Sequence, residues 1–172
     1  MSDYSDLSGW RFFASSDALR AKHPFGAGLR QSLLLALLIL VGALSAGAAP
    51  TNDSFANATV ITGVSGATSG STVGATKESG EPNHAGNLGG ASVWFNWVAP
   101  ANGTVTFNTA GSGFDTLLGV YTGTSVSALS LVASDDDLPP GTTSAVTFAA
   151  VSGTEYRIAV DGYNGILSLI HI

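Results

Sequence analysis

The chain has 172 residues, 22 glycines, no cysteine and a formal net charge of −6. Without cysteine it cannot be a disulfide scaffold, and cysteine-ligated zinc is excluded as well. With 12 acidic residues against 6 lysines and arginines, phosphate backbones and anionic lipid surfaces are unfavourable partners.

The first readable segment is residues 32–44, SLLLALLILVGAL, an almost unbroken apolar run. Arg30 precedes it, and Arg11, Arg20 and Lys22 lie further upstream. Small residues follow, with Ala46 and Ala48 spaced for a signal peptidase. The run is shorter than the ~20 residues of a spanning helix, so a cleaved secretory signal is the reading, with the cut after Ala48. Asp3, Asp6 and Asp17 make the lead unusually long and acidic for such a signal. Three parts follow: a leader and signal at 1–48, one domain at 49–165, and a doubtful tail at 166–172. The domain is large enough for one core. Its cations are Lys77 and Arg157, against nine acids, which leaves a net charge of −7.

Beyond the leader the apolar residues alternate instead of recurring every third or fourth position. Short runs rich in Val, Thr and aromatics, bounded by Gly, Asn, Asp or Pro, predict strands at 58–62, 72–76, 92–98, 104–108, 116–121, 129–133, 145–150 and 155–161. Val93, Phe95 and Trp97 share one face of their strand, and Trp94 and Asn96 the other. Val105, Phe107, Val146, Phe148, Tyr156, Ile158 and Val160 complete the predicted core. The run at 116–121, TLLGVY, is apolar on both faces and is expected to be central. Asn102-Gly103 predicts a hairpin between its flanking strands. At 135–141, DDDLPPG reads as a stiff acidic loop, because its prolines fix φ and donate no hydrogen bond. The expected fold is all-β: an antiparallel β-sandwich of about eight strands. The ending at 166–172, ILSLIHI, is apolar enough for an edge strand. Its last six residues also resemble translated sequencing-adapter text, which implies a truncated gene.

Several ordered motifs then resemble one family. Asn52-Asp53-Ser54-Phe55-Ala56-Asn57-Ala58 resembles the N-D-x-F-x-x-A opening of bacterial pre-peptidase C-terminal-like domains. Residues 74–78 and 80–86 resemble the loop that follows it. Ser92-Val93-Trp94-Phe95-Asn96-Trp97 with Ala99-Pro100 resembles the family's aromatic strand. Phe114-Asp115-Thr116-Leu117-Leu118 with Val120-Tyr121-Thr122-Gly123, and the run from Tyr156 to Tyr163, resemble two later strands. The resemblance covers residues 51–165. It implies a jelly-roll-like sandwich, non-catalytic, appended to secreted hydrolases or adhesins. It also implies relatives that bind calcium or insoluble polymers such as collagen, and a closing strand that is missing or replaced here.

The candidate sites follow from residue chemistry. Ca²⁺ takes six to eight oxygens at roughly 2.3–2.6 Å, many of them carboxylates. Asp53, Glu78, Glu81, Asp115, Asp135, Asp136 and Asp137 are the candidate metal ligands, provided the fold brings their loops together. The alternative is a solvated acidic loop. Trp94, facing away from Val93 and Phe95, is the candidate ligand-binding residue, a platform for a sugar ring or peptide. The alternative places it beneath the loop at 78–90. His84 has no nucleophile elbow and no second histidine beside it, so neither catalysis nor zinc is expected. Glu78 and Glu81 lie too close in one loop to flank a glycosidic bond. The expected role is a non-catalytic accessory module of an exported bacterial protein, secreted or at the cell surface. It would bind or space, as one monomeric part of a larger protein, at an extracellular polymer or surface protein. No nucleic acid, and no membrane after cleavage, is expected as a partner. The alternative is a purely structural surface or adhesin repeat without its own ligand.

Overall fold

The structure is a computed structural model, and it describes residues 47–172. The expected signal peptide lies, but for its last two residues, outside the described residues. Nine strands are present: β1 (Thr59–Ile61), β2 (Ser69–Ser71), β3 (Val93–Val98), β4 (Gly103–Asn108), β5 (Thr116–Thr122), β6 (Ser130–Asp135), β7 (Ala145–Ala150), β8 (Glu155–Gly162) and β9 (Leu169–His171). Helical backbone among the described residues is confined to three-residue 3₁₀ turns at Phe55–Asn57, His84–Gly86, Val126–Ala128 and Tyr163–Gly165.

Five strands form the main sheet, in the order β1-β3-β8-β5-β6. Two antiparallel ribbons, β4–β7 and β2–β9, stand apart from it. Alternation decides how these pieces stack. Val93, Phe95 and Trp97 of β3, Leu118 and Val120 of β5, and Tyr156, Ile158 and Val160 of β8 all point to one side. There they meet Val146, Phe148 and Ala150 of β7 and Ile170 of β9. Aromatic edges lock the layers: Trp97 to Phe107 at 5.5 Å and Phe148 to Tyr156 at 4.9 Å between ring centres. The fold is therefore an all-β sandwich with one dominant core, as the alternation predicted.

β5 has β8 on one side and β6 on the other, and residues 116–121 are all buried. A TLLGVY strand has no solvent face to place in water, so it sits inside the sheet. The second face of the sheet is closed by Phe55 and the loop at 78–90, which lie over Trp94, Tyr121 and Ala159.

Three local expectations are corrected. β1 runs parallel to β3, with Thr59 opposite Phe95 and Ile61 opposite Trp97, so the sheet is not wholly antiparallel. The strand expected at 72–76 is absent, and β2 forms earlier, at Ser69–Ser71. Gly74 is the reason: its φ of +80° turns the chain where a strand would run straight. Asn102-Gly103 does not make a hairpin either. Both edges of β3 are already taken by β1 and β8, so the turn carries the chain to the other layer, where β4 pairs with β7. Asn102 Oδ1 holds this crossing by accepting the Ser152 amide at 2.7 Å. The tail at 166–172 includes β9, which pairs with β2, and Ile170 at its centre is buried.

Candidate functional site

Six of the seven carboxylates proposed as metal ligands divide into two groups of three, and Asp135 stands apart. Three of them build the loop over Trp94. Asp53 Oδ1 accepts the Thr76 amide at 2.6 Å, and Glu78 Oε2 accepts the Phe55 amide at 2.5 Å. Glu81 Oε2 accepts the Glu78 amide at 2.8 Å, and its Oε1 lies 2.8 Å from His84 Nε2. These carboxylates satisfy backbone donors that would otherwise be orphaned.

His84 is fully buried, and both of its ring nitrogens are occupied. Nδ1 lies 2.7 Å from the Tyr121 hydroxyl, on β5. Glu81 is an acceptor at both oxygens, so Nε2 carries a hydrogen, and in the neutral ring Nδ1 accepts from Tyr121. Burial pushes the Glu81 carboxyl upward. The hydrogen bonds from His84, Ser92 and the Glu78 amide, with the charge His84 carries when protonated, outweigh that and hold it below its ordinary value. Burial, and then the Glu81 charge, push the Tyr121 phenol up to about 12. The result is a buried Glu–His–Tyr chain that ties loop to sheet.

Trp94 lies in the same pocket of side chains and is 0% exposed. Phe55 meets it edge-on at 5.2 Å and His84 at 5.5 Å. As a stacking platform for a sugar or peptide it is corrected: the loop at 78–90 and Phe55 occupy the face a ligand would need. Asp161, on β8, fastens the far end of the loop by accepting the amides of Gly90 (2.9 Å), Ala91 (2.9 Å) and Gly162 (2.7 Å). Gly89 has no room for a side chain, since any Cβ would strike the Asp161 carboxylate.

The second group is the one that resembles a cation site. One carboxylate oxygen from each of Asp115, Asp136 and Asp137 lies within 4.8 Å of the others. Oxygens ligating one Ca²⁺ at roughly 2.3–2.6 Å have such separations. Asp115 Oδ1 and Asp136 Oδ1 are buried atoms without a hydrogen-bond partner. Burial, then the neighbouring Asp137, raise the Asp115 carboxyl. Burial, then Asp115, Asp137 and Asp135, raise that of Asp136. Asp135 does not join them, because its Oδ2 accepts the Ala145 amide at 2.8 Å at the start of β7.

A hydroxyl network holds this acidic loop in place. Thr109 and Thr116 hydroxyls meet at 2.6 Å, Thr116 and Ser144 at 3.0 Å, and Ser144 donates to the Asp136 carbonyl at 2.9 Å. All three residues are fully buried. Sequence reasoning missed them, and it missed Tyr121 as the partner of His84. Their separations along the chain leave no local pattern to read. The Glu81–His84 pair is only three residues apart, and it too was not read from the sequence.

No family model matches the chain, and neither a curated protein nor a solved structure shows significant similarity to it.

Proposed function

We propose that the domain is a non-catalytic accessory module of an exported protein, braced by a divalent cation at Asp115, Asp136 and Asp137. The observation that carries the reading is the pair of buried, unpartnered carboxylate oxygens in that cluster. Buried acceptors are normally paired, and three carboxylates in contact repel one another. One divalent ion removes both costs. Three carboxylates can supply up to six oxygens, and water completes a flexible Ca²⁺ shell. The unbound acid groups favour calcium over zinc, which selects nitrogen and sulfur.

The non-catalytic part rests on His84. A general base must reach a substrate proton, and both nitrogens of this ring are committed inside the fold. The Glu–His–Tyr chain is accounted for as a fastening of the loop at 78–90. The motif resemblance to pre-peptidase C-terminal-like domains points the same way, to a binding or spacing role outside the cell at a polymer or surface protein. Titrating the full chain with CaCl₂ after EDTA treatment tests the reading. The expected result is a saturable rise in melting temperature that Asp136→Asn abolishes. An unchanged melting temperature at millimolar Ca²⁺ removes the cation from the proposal. Retention on collagen, chitin or cellulose would name the polymer, and retention on none would favour the purely structural repeat.

A further inference from the structure

The loop at 78–90 covers Trp94, yet it brings little apolar surface to the contact. Glu81 and His84 are its buried residues, both titratable, and its one large apolar side chain, Leu88, is 74% exposed. Its short fastenings run from carboxylate to amide. Glu78 accepts the Phe55 amide, and Asp161 accepts those of Gly90 and Ala91. Asp53 accepts the Thr76 amide just before the loop begins. A longer, neutral tie joins the Asn164 amide to Asn87 Oδ1 at 3.3 Å.

Inside the loop the bonds are of another kind. Lys77 Nζ donates to Asn83 Oδ1 and to the Leu88 carbonyl, both at 2.7 Å, and the Asn87 amide donates to the His84 carbonyl at 2.9 Å. None of these acceptors titrates, so the loop keeps its shape when its carboxylate ties are lost. Glycines stand near both ends, Gly80 at φ +86° and Gly90 at φ +144°. The closed state also carries two costs. Ala85 is held at φ +48°, and Trp94 Nε1 is buried without a hydrogen-bond partner.

We infer that the loop at 78–90 is an acid-released flap, which lifts from Trp94 and Tyr121 as a unit while the sandwich beneath it stays folded. The trigger is the second proton taken up by the Glu81–His84 pair. A first proton on the ring keeps every bond, since Nε2–H still donates to Glu81 and Nδ1–H donates to the Tyr121 oxygen. A second proton must sit on Glu81. Both oxygens of that carboxylate face donors, His84 Nε2–H and the Glu78 amide, so either site sets donor against donor. It also leaves the buried imidazolium without its counter-charge. No neighbour replaces that charge. Tyr121 on β5 is neutral in acid, and Asp161 on β8 is engaged by backbone amides. Arg157 on β8 lies over Phe55 and beside Glu155, and Lys77 is a second cation. Asp53 and Glu78 hold the Thr76 and Phe55 amides, and Asp135 on β6 holds the Ala145 amide. Glu81 is held below its ordinary 4.5, so its hold on the loop is complete above that value and is lost as pH falls through the folded one. The inference goes beyond the accessory role proposed above and needs no metal.

The test is hydrogen exchange on the full chain in EDTA, from about pH 7 to about pH 3, read as protection factors so that the intrinsic pH dependence of exchange cancels. Protection of the Phe55, Thr76, Gly90 and Ala91 amides should fall by about tenfold or more below pH 4.5, while Ile158 and Val160, inside the sheet on β8, keep theirs. Glu81→Gln sharpens the test. Glutamine offers one acceptor to the Glu78 amide and one donor to the neutral ring, so a single proton on His84 then sets donor against donor. Its flap should open at a pH higher than the wild type's by about one unit or more. Loss of protection at Ile158 and Val160 at the same pH would make the event unfolding of the whole domain, and overturns the inference. Loop protection that survives to about pH 3, or an opening pH that E81Q leaves unmoved, overturns it too. The first two outcomes are read on the unaltered chain, so they decide the matter even if E81Q does not fold.

Discussion

Trp94 and Trp97 are three residues apart on β3, and they serve opposite faces of one sheet. Trp97 joins Phe107 and Tyr156 in the main core, and Trp94 joins Phe55, His84 and Tyr121 beneath the loop at 78–90. Removing the Trp94 ring leaves a hole that neither the sheet nor the hydrogen-bonded loop can collapse into. Trp94→Ala should therefore cost about 3–5 kcal/mol of stability, measured by urea unfolding. Tyr121→Phe is a gentler change at the same place. It keeps the ring and removes the hydroxyl, so His84 Nδ1 is buried without its partner, at a cost of about 1–3 kcal/mol. If Trp94 acted on an external ligand instead, its replacement would alter binding and leave unfolding unmoved.

At the scale of elements, the carboxylates show what a sequence can and cannot disclose. The alternation of β3, β7 and β8 was legible, because a strand with one buried face writes its period into the residues. So was the central place of β5, with its apolar residues on both sides. The grouping of the acids was not legible. Asp135, Asp136 and Asp137 are adjacent in the chain, yet Asp135, the last residue of β6, accepts the Ala145 amide, while Asp136 and Asp137, beyond the strand, lie near Asp115. The Asn102-Gly103 turn was read correctly as a turn and wrongly as a hairpin, since the residues of a turn do not state which strands already have neighbours. Asp161 illustrates a long-range fastening of the same kind, 71 residues from Gly90. Asp161→Asn keeps the shape but gives up the charge that its amide donors favour. Amide exchange at Gly90 and Ala91 should speed up, with little change along β7. Uniform acceleration across the domain would instead make Asp161 a core residue and not a loop anchor.

The whole molecule integrates these groups as its response to pH, and their signs differ. Glu81 has a folded value below its ordinary 4.5. Its contribution is present above the unfolded value and is lost as pH falls through the folded one. Asp115 and Asp136 have folded values above their ordinary 3.8. Their contribution is fully present below the unfolded value and is lost as pH rises through the folded one, when the ionised cluster begins to repel itself. The two sets therefore oppose each other in mild acid, and a cation bound to the aspartates should cancel only the second. Tyr121 acts at the other end of the scale. Its phenol stays protonated in the fold up to about 12, while the unfolded chain ionises near 10. Stability should accordingly decline from pH 10 upward, by on the order of 3 kcal/mol by pH 12. Melting temperatures from pH 3 to 12, with and without Ca²⁺, separate the three contributions. Asp136→Asn should flatten the loss between acid and neutral pH and remove the calcium effect there, while Tyr121→Phe should flatten only the alkaline decline. An alkaline decline that survives in Tyr121→Phe would place its origin outside the Glu–His–Tyr chain.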